Sequence, residues 1–485
     1  MKAAFPVESI FLNRRSAVHL HRQLYGQLRR LIEERILQSG TVLPSTRALA
    51  GDLRLGRNTV IAAYDQLALE GFIVTGRSIR PTVSDLPQME TMPQAPSADD
   101  RSALSERGRI MSRQPFHHGR PGITAFHPGL PDADHFPFNT WSRLLTRRTK
   151  LARKDLFGSY YVTGYPPLCE AIARYLGASR GVVCTPDQII VTNGAQSAFD
   201  ILARILIDPG DPVWLEEPGY YGAAAALLSA GAELQPLHVG DDGWRLAPPP
   251  RPPRLIFVTP SCHHPLGLTM SMEQRLNLIR LAQQWNAWIV EDDYDSEYRF
   301  QGQPIPALQG LAPDSRIIFV GTFAKILFPA MRLGYMVVPA GLRDSILAAL
   351  SAAGQFGPLI TQAALADFIG EGHLTRHLRR MRRIYAERRS FFFDQFGRHL
   401  GRIMQLRHTE SGIQLVALFR DGRDDREAAR RAVAAGINVS PLSLQYRAAA
   451  APSGLLMGFA AANERTTRKA MRQLSLALDR SPQAG

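Results

Sequence analysis

Leucines at positions 20, 24, 28, 31 and 37 of HLHRQLYGQLRRLIEERIL recur near helical spacing with arginines between them, which gives an amphipathic helix with one apolar and one basic face. After SGTVLP, Ser45 can cap TRALAGDL, and the turn RLGR leads into NTVIAAYDQLALE, a third helix that Gly71 stops. Two short helices across a tight turn have the helix-turn-helix layout. FIVT and IRPTV, separated by GRS, read as two strands of a small wing. Residues 1–83 are therefore predicted to form one α+β winged unit.

The pattern changes twice more. Residues 84–122 are rich in Pro, Ser and charge and poor in large aliphatics, the composition of a linker. From 123 to 485, short apolar runs alternate with helical patterns. QIIV, PVWL, RLIFV, AWIV, RIIFV and LGYMVV read as buried strands; SAFDILARILI and MEQRLNLIRLAQQW read as helices, the second opened by a Ser271/Gln274 capping box. Such alternation predicts an α/β domain with a mainly parallel sheet and ligands at the carboxyl ends of its strands. Residues 341–485 hold longer helices and fewer strands and are expected to form a smaller α+β lobe.

Composition narrows the function classes. With 485 residues, 45% apolar and 21% charged, the chain is long enough for two or three cores and is neither a disordered nor a fibrous sequence. Its three cysteines, Cys169, Cys184 and Cys262, are widely spaced with no CxxC, so no metal site is expected and a reduced, cytoplasmic setting fits. No apolar run approaches the roughly 20 residues that span a bilayer. The net charge of +14 favours polyanionic partners, and residues 1–83 concentrate it, with 12 Lys or Arg against 6 Asp or Glu.

The first turn of the third helix carries Arg57, Asn58 and Thr59, the end of a recognition helix that reaches base edges. Arg47 before it, with Arg77 and Arg80 in the wing, can neutralise phosphates. A solvated basic bundle is the competing reading, but the turn, the polar RNT start and the wing coincide. LPSTRALAGDLRLGRNTVIAAYDQLALEGFIV is similar to the winged-helix domains of the GntR family of bacterial regulators, although GRSIRPTV departs from that family's glycine-rich wing.

Four features of the large domain point to a cofactor. TNGAQSAFD opens a helix after a strand, so the amides of Gly194, Ala195 and Gln196 suit a phosphate. AWIVEDDYDSEY ends a strand in carboxylates: Asp292 can hold a pyridinium nitrogen and Tyr294 can donate to a phenolic oxygen, while a metal site or a solvated acidic loop is the alternative. GTFAKILF sets Lys325, one of only five lysines, among apolar residues, where desolvation favours a neutral amine able to form a Schiff base; the alternative is a lysine snorkelling from a strand end. EEPGYYG places Tyr220 at a further strand end, where it can stack on a ring.

Taken together, these features resemble the pyridoxal 5'-phosphate site of fold-type I aminotransferases. FHPGLPDADHFPFNTW, RGVVCTPDQIIVTNGAQSAFDILARILIDPGD, EEPGYYGA, TPSCHHPLG, EDDYDSEYRF and ALSERGRIM resemble the MocR branch of the GntR family, in which a winged helix is fused to an aminotransferase-like domain. The resemblance implies that Lys325 carries the cofactor, Asp292 pairs with its ring nitrogen, Tyr294 binds the ring oxygen and Tyr220 stacks. It also assigns the phosphate to Gln196, Thr322 and Arg332, and puts His264 at the position of a ring-contacting Asn. Leu456 stands where aminotransferases place the arginine that grips a substrate carboxylate, Ala223 or Ala224 stands where another Arg is expected, and Arg447 is a candidate substitute. The implied protein is a head-to-tail homodimeric transcription regulator that binds operator DNA, senses an amine, an amino acid or pyridoxal phosphate itself, and has no catalytic residue to assign. The alternative is an aminotransferase with a DNA-binding appendage.

Overall fold

The computed structural model describes residues 5, 7–76, 79–85, 104–113, 125–151, 156–158, 161–300, 302, 305–407 and 409–479. The chain divides into two compact units, residues 1–100 and 101–485.

In the first unit, α1 (Leu20–Glu33), α2 (Thr46–Asp52) and α3 (Arg57–Leu69) precede a hairpin of β1 (Ile73–Gly76) and β2 (Ile79–Val83). The leucine spacing foretold which face of α1 is buried: Leu24, Leu28 and Leu31 pack with Leu49, Val60, Tyr64, Leu67 and Ile73 in one core. Ser45 caps α2 by accepting from Ala48 N at 3.2 Å. The chain between α1 and α2 runs beside β2, where Leu43 N donates to Pro81 O at 2.7 Å. Helices and wing thus share one hydrogen-bonded frame. Arg77, expected in the wing, lies outside the described residues.

The second unit is built on an eight-stranded sheet, comprising β3 (Ile189–Thr192), β4 (Pro212–Glu217), β5 (Glu233–Gly240), β6 (Gly243–Trp244), β7 (Leu255–Val258), β8 (Trp288–Asp293), β9 (Ile317–Thr322) and β10 (Gly334–Val337). Its spatial order is β3-β10-β9-β8-β7-β4-β5-β6. β5, β4, β7, β8 and β9 run parallel, whereas β10 is antiparallel to both β9 and β3. Strands β3, β4 and β7 are buried throughout, as unbroken apolar runs predict for a sheet covered on both faces. Among the covering helices are α4 (Glu106–Ser112), α5 (Phe138–Leu151), α6 (Pro166–Arg180), α7 (Ala195–Leu206), α8 (Tyr221–Ser229) and α9 (Met272–Trp285). The short α4, N-capped by Ser105, lies within the stretch whose composition reads as linker and packs on α8.

A second, four-stranded antiparallel sheet, ordered β11-β12-β14-β13, contains β11 (Met404–Leu406), β12 (Gln414–Phe419), β13 (Ser440–Pro441) and β14 (Gly454–Gly458). The helices Ala340–Ala353 and Leu359–Gly370 pack on α7 and on α5 and α6 respectively, so the chain leaves the large sheet's layers only along the helix His373–His399. No helix among the described residues is long and apolar enough to cross a membrane.

Leu24 has no exposed surface at the centre of the first core. Leu24→Ala should lower the unfolding free energy of a 1–85 fragment by about 3 kcal/mol in a urea titration. A loss below about 1 kcal/mol would contradict this packing.

Candidate functional site

The side chains singled out in the large domain gather where its parallel strands end. β9 finishes at Thr322, whose Oγ1 accepts from Ala324 N at 3.2 Å and starts a tight turn. That turn carries Lys325 between the buried side chains of Phe323, Ile326 and Leu327. Lys325 Nζ forms no ion pair among the described residues; it donates to the carbonyl of Gly129 at 2.8 Å. Burial pushes the amine below the usual lysine range, and the carboxylates of Asp295 and Asp292 only partly oppose this. A desolvated, neutral lysine is a nucleophile.

On the adjacent strand β8, Asp292 is buried, and its Oδ1 has no hydrogen-bond partner among the described residues. Burial raises its pKa well above the carboxylate range; Asp293 and Glu216 raise it further and Lys325 pulls the other way. The neighbouring Asp293 differs, because Arg180 Nε pairs with it at 2.7 Å. Among the described residues Asp293, Asp295 and Glu297 each also leave one oxygen without a partner, but Arg180 pairs with Asp293 and Ile413 N donates to Asp295, whereas Asp292 has no such cationic or amide partner and is open to a basic nitrogen.

Tyr220 follows β4 and caps α8, while Tyr294 follows β8. Between them lies His264, from the loop after β7, edge-on to Tyr220 at 5.4 Å and to Tyr294 at 6.0 Å between ring centroids. The Tyr294 hydroxyl meets Cys262 Sγ at 3.7 Å. His264 N donates to Thr259 Oγ1 at 3.1 Å, and Thr259 in turn is held by Glu216, through its hydroxyl at 2.6 Å and its amide at 2.9 Å. Burial pushes Glu216 up to about 7. A buried carboxyl thus fixes the loop that presents His264.

Gly194, at φ +83°, caps α7, whose first-turn amides have no partners within the helix. β10 comes so close to this cap that a Cβ on Gly334 would stand 2.8 Å from the carbonyl carbon of Gly194. Gln196 directs its side-chain amide to Gly222 O at 2.8 Å, tying α7 to the start of α8. Arg332 precedes β10 and makes no ion pair among the described residues. A half-buried amine, an unpartnered buried carboxylate oxygen, a row of rings, a helix N-terminus and an unpaired guanidinium are the donor and acceptor set that pyridoxal phosphate requires, so these residues fit that group.

Other expected positions resolve differently. Leu456 is buried in β14 and pairs with Val416, on the same face of the small sheet as Gln414 and Gly458. Ala223 and Ala224 are buried in α8. Arg447, the candidate substitute cation, binds Glu217 Oε2 at 3.1 Å and the Glu216 carbonyl. Its charge is already matched. The described residues contain no cluster of His, Cys, Asp and Glu able to hold a metal.

Several site residues escaped the sequence reading. Gln414 Nε2 donates to His264 Nδ1 at 3.1 Å, and His264 Nε2 meets Gln445 Oε1 at 3.1 Å. Both glutamines come from the small sheet's region, more than a hundred residues downstream, and no local motif announces them. Gly129 was visible only as part of FHPGLPD.

In the first unit, Arg57 and Asn58 are exposed at the start of α3, Thr59 is half-buried beside them, and Arg47 on α2 and Arg80 on β2 are exposed. The exposed first turn is the part of a recognition helix that meets bases.

Comparison with known proteins covers both units. The profile of bacterial regulatory proteins of the gntR family matches residues 20–79, and that of aminotransferase class I and II matches residues 131–474. The chain is 48% identical over 97% of its length, and 97% of the relative's, to a probable rhizopine catabolism regulatory protein, MocR, of Rhizobium meliloti. It is 31% identical, over 96% of this chain and 97% of the other, to the pyridoxine biosynthesis transcriptional regulator PdxR of Corynebacterium glutamicum. Among solved structures it resembles the α-aminoadipate aminotransferase LysN of Thermus thermophilus, with a TM-score of 0.68 and 24% identity over 74% of this chain and 92% of that one. That likeness bears on the fold.

Gly129 is at φ +62°, and a Cβ there would lie 2.4 Å from Lys325 Nζ. Overpacking of this kind costs about 1–3 kcal/mol, so Gly129→Ala should weaken pyridoxal phosphate binding by about 5- to 150-fold in an absorbance titration. Unchanged binding would remove Gly129 from the site.

Proposed function

The chain belongs to the MocR-like branch of the bacterial gntR regulatory family, a winged helix joined to an aminotransferase class I and II domain, and from this we propose that it is a transcription regulator that binds operator DNA and reads a small molecule through pyridoxal phosphate held at Lys325. The observation that carries the reading is the placement of the Lys325 amine beside the unpartnered carboxylate oxygen of Asp292, in a chain that also has a winged helix with an exposed RNT start.

When bound, pyridoxal phosphate supplies an aldehyde that exchanges primary amines and a ring nitrogen that draws electrons when protonated. This chain's residues divide the holding of that group among them. Asp292 keeps a proton on the ring nitrogen, because ionising its buried carboxyl is costly unless a cation stands opposite. Tyr294 donates to the ring oxygen, Tyr220 stacks, and His264 lies edge-on between them. The phosphate falls to the amides of Gly194, Ala195 and Gln196, with Thr322 and Arg332; the side chain of Gln196 serves instead to fix α8. Lys325, whose burial favours the uncharged amine, is the group that a small-molecule amine would replace. Any effect on DNA is bounded by the difference in affinity between the two liganded forms.

Regulation is favoured over transamination by the names of the relatives, one tied to rhizopine catabolism and one to pyridoxine biosynthesis, and by Leu456 at the usual place of the carboxylate-binding arginine. The second of these names also supports pyridoxal phosphate as an effector in its own right. A head-to-tail homodimer with two reading heads, each needing a half-site, completes the proposal.

Arg57→Ala or Asn58→Ala should weaken binding to the operator by about 5- to 150-fold in fluorescence anisotropy while leaving pyridoxal phosphate binding unchanged, since one bidentate base contact is worth about 1–3 kcal/mol. Undiminished operator affinity in both variants would disqualify α3 as the recognition helix. Sustained amino-acid and keto-acid turnover, on the order of 1 per second or faster, would favour the enzyme reading.

A further inference from the structure

Residues 125–137 form neither helix nor strand, yet Phe126, Gly129, Pro131, Asp132 and Phe136 are buried. A buried irregular segment has to satisfy its polar groups one by one, so its partners decide where it lies. Its start is tied to the small lobe, where Asn438 N donates to Ala125 O at 3.0 Å and Gly458 N to Phe126 O at 2.9 Å. Its middle supplies the carbonyl of Gly129, to which Lys325 Nζ donates at 2.8 Å. Three residues further on, Asp132 is only 2% exposed. One carboxylate oxygen pairs with Arg388 Nη2 at 2.8 Å and meets His135 Nδ1, the other accepts from Asp134 N at 2.8 Å, and the Asp132 amide donates to the Tyr385 hydroxyl at 2.8 Å.

Tyr385 and Arg388 belong to the helix His373–His399. So does His377, whose Nε2 donates at 3.1 Å to the carbonyl of Ile326, the residue after Lys325. One helix therefore holds both halves of the contact between Lys325 and Gly129. Only Leu130 and Pro131 separate Gly129 from Asp132, and the proline ring fixes its own φ, so the link from the buried ion pair to the Gly129 carbonyl is short and stiff. The consequence is chemical. A lysine amine sits on a flexible stem, and spending one N–H on a fixed carbonyl settles where its lone pair points. Condensation with an aldehyde needs that lone pair aimed at the aldehyde carbon. The carbon–nitrogen double bond then forms as both amine hydrogens leave with the aldehyde oxygen as water.

We propose that Asp132 is a positioning residue: held by Arg388 and Tyr385, it presents the Gly129 carbonyl that orients the Lys325 amine for condensation with the cofactor's aldehyde. The proposal rests on the reading of Lys325 as the residue that carries pyridoxal phosphate.

The test uses full-length protein freed of cofactor and two ligands, pyridoxal phosphate and deoxypyridoxine phosphate, which keeps the ring and phosphate but has a methyl group in place of the aldehyde. Asp132→Ala should lower the limiting rate at which visible absorption grows with saturating pyridoxal phosphate by about 10- to 100-fold, the effect of misplacing a reacting group by about 1 Å. The dissociation constant of deoxypyridoxine phosphate should not change, whereas a general loss of packing would weaken both ligands together. Tyr385→Phe, which removes only the hydroxyl that accepts from Asp132 N, should slow the same step by a smaller factor and also spare the deoxy compound, so the outcome does not hang on Asp132→Ala folding. Unaltered rates in both variants, or a parallel loss of rate and of deoxypyridoxine phosphate binding, overturns the proposal. If pyridoxal phosphate does not attach to Lys325 in the wild-type protein, the functional reading fails first and this inference falls with it; attachment there with unaltered rates in the variants removes the role of Asp132 alone.

Discussion

Asp292 is buried on β8 and Lys325 is half-buried in the turn that follows the neighbouring β9, yet neither is neutralised by the contacts it makes: the amine rests on a backbone carbonyl, and one carboxylate oxygen has no partner among the described residues. Removing both groups from water without pairing them is expensive. Each drives the other's protonation only in part, because burial outweighs their mutual attraction. The arrangement makes physical sense as half of a complex, in which a basic ring nitrogen meets the carboxylate and an electrophilic carbon meets the amine.

The sheet exists to hold that pair. Five parallel strands bring their carboxyl ends to one edge, so side chains from β8 and β9 and from the turns after β4 and β7 meet although they are far apart in sequence. Glu216 at the end of β4 extends this order outward: it grips Thr259, Thr259 positions His264, and His264 is finished by two glutamines from the smaller sheet. The small sheet's region thereby adds two amide side chains to the site, while Val416 and Leu456 leave the next position of that face apolar.

Much of this was legible in the sequence wherever function is encoded locally. The apolar spacing of α1, the Ser45 cap, the RNT start and the embedding of Lys325 in GTFAKILF are short-range signals, and α2 and α3 stand within a residue of their predicted places, whereas α1 ends at Glu33, short of Leu37, which joins the core from the turn beyond it. The direction of LGYMVV was not legible. Its apolar run matches a parallel strand, but only eleven residues separate β9 from β10, too few for a parallel crossover, and the strand turns back antiparallel. Gln414 and Gln445 were invisible because a lone glutamine becomes a site residue only through tertiary contact. Arg447 illustrates the converse: sequence supplies a cation, but only the fold reveals that Glu217 already holds it. The helix Glu106–Ser112 carries its own cap, Ser105, yet sits in surroundings whose composition reads as linker.

The claim on which the account rests is that Lys325 forms the covalent link to pyridoxal phosphate. Hydride reduction of the protein with the cofactor present, followed by trypsin digestion and mass spectrometry, tests it directly. A single pyridoxyl group on the peptide of residues 317–332, with cleavage after Lys325 blocked, is the predicted result. An unmodified 317–332 segment, or a pyridoxyl group found only on Lys2, Lys150, Lys154 or Lys469, would contradict it.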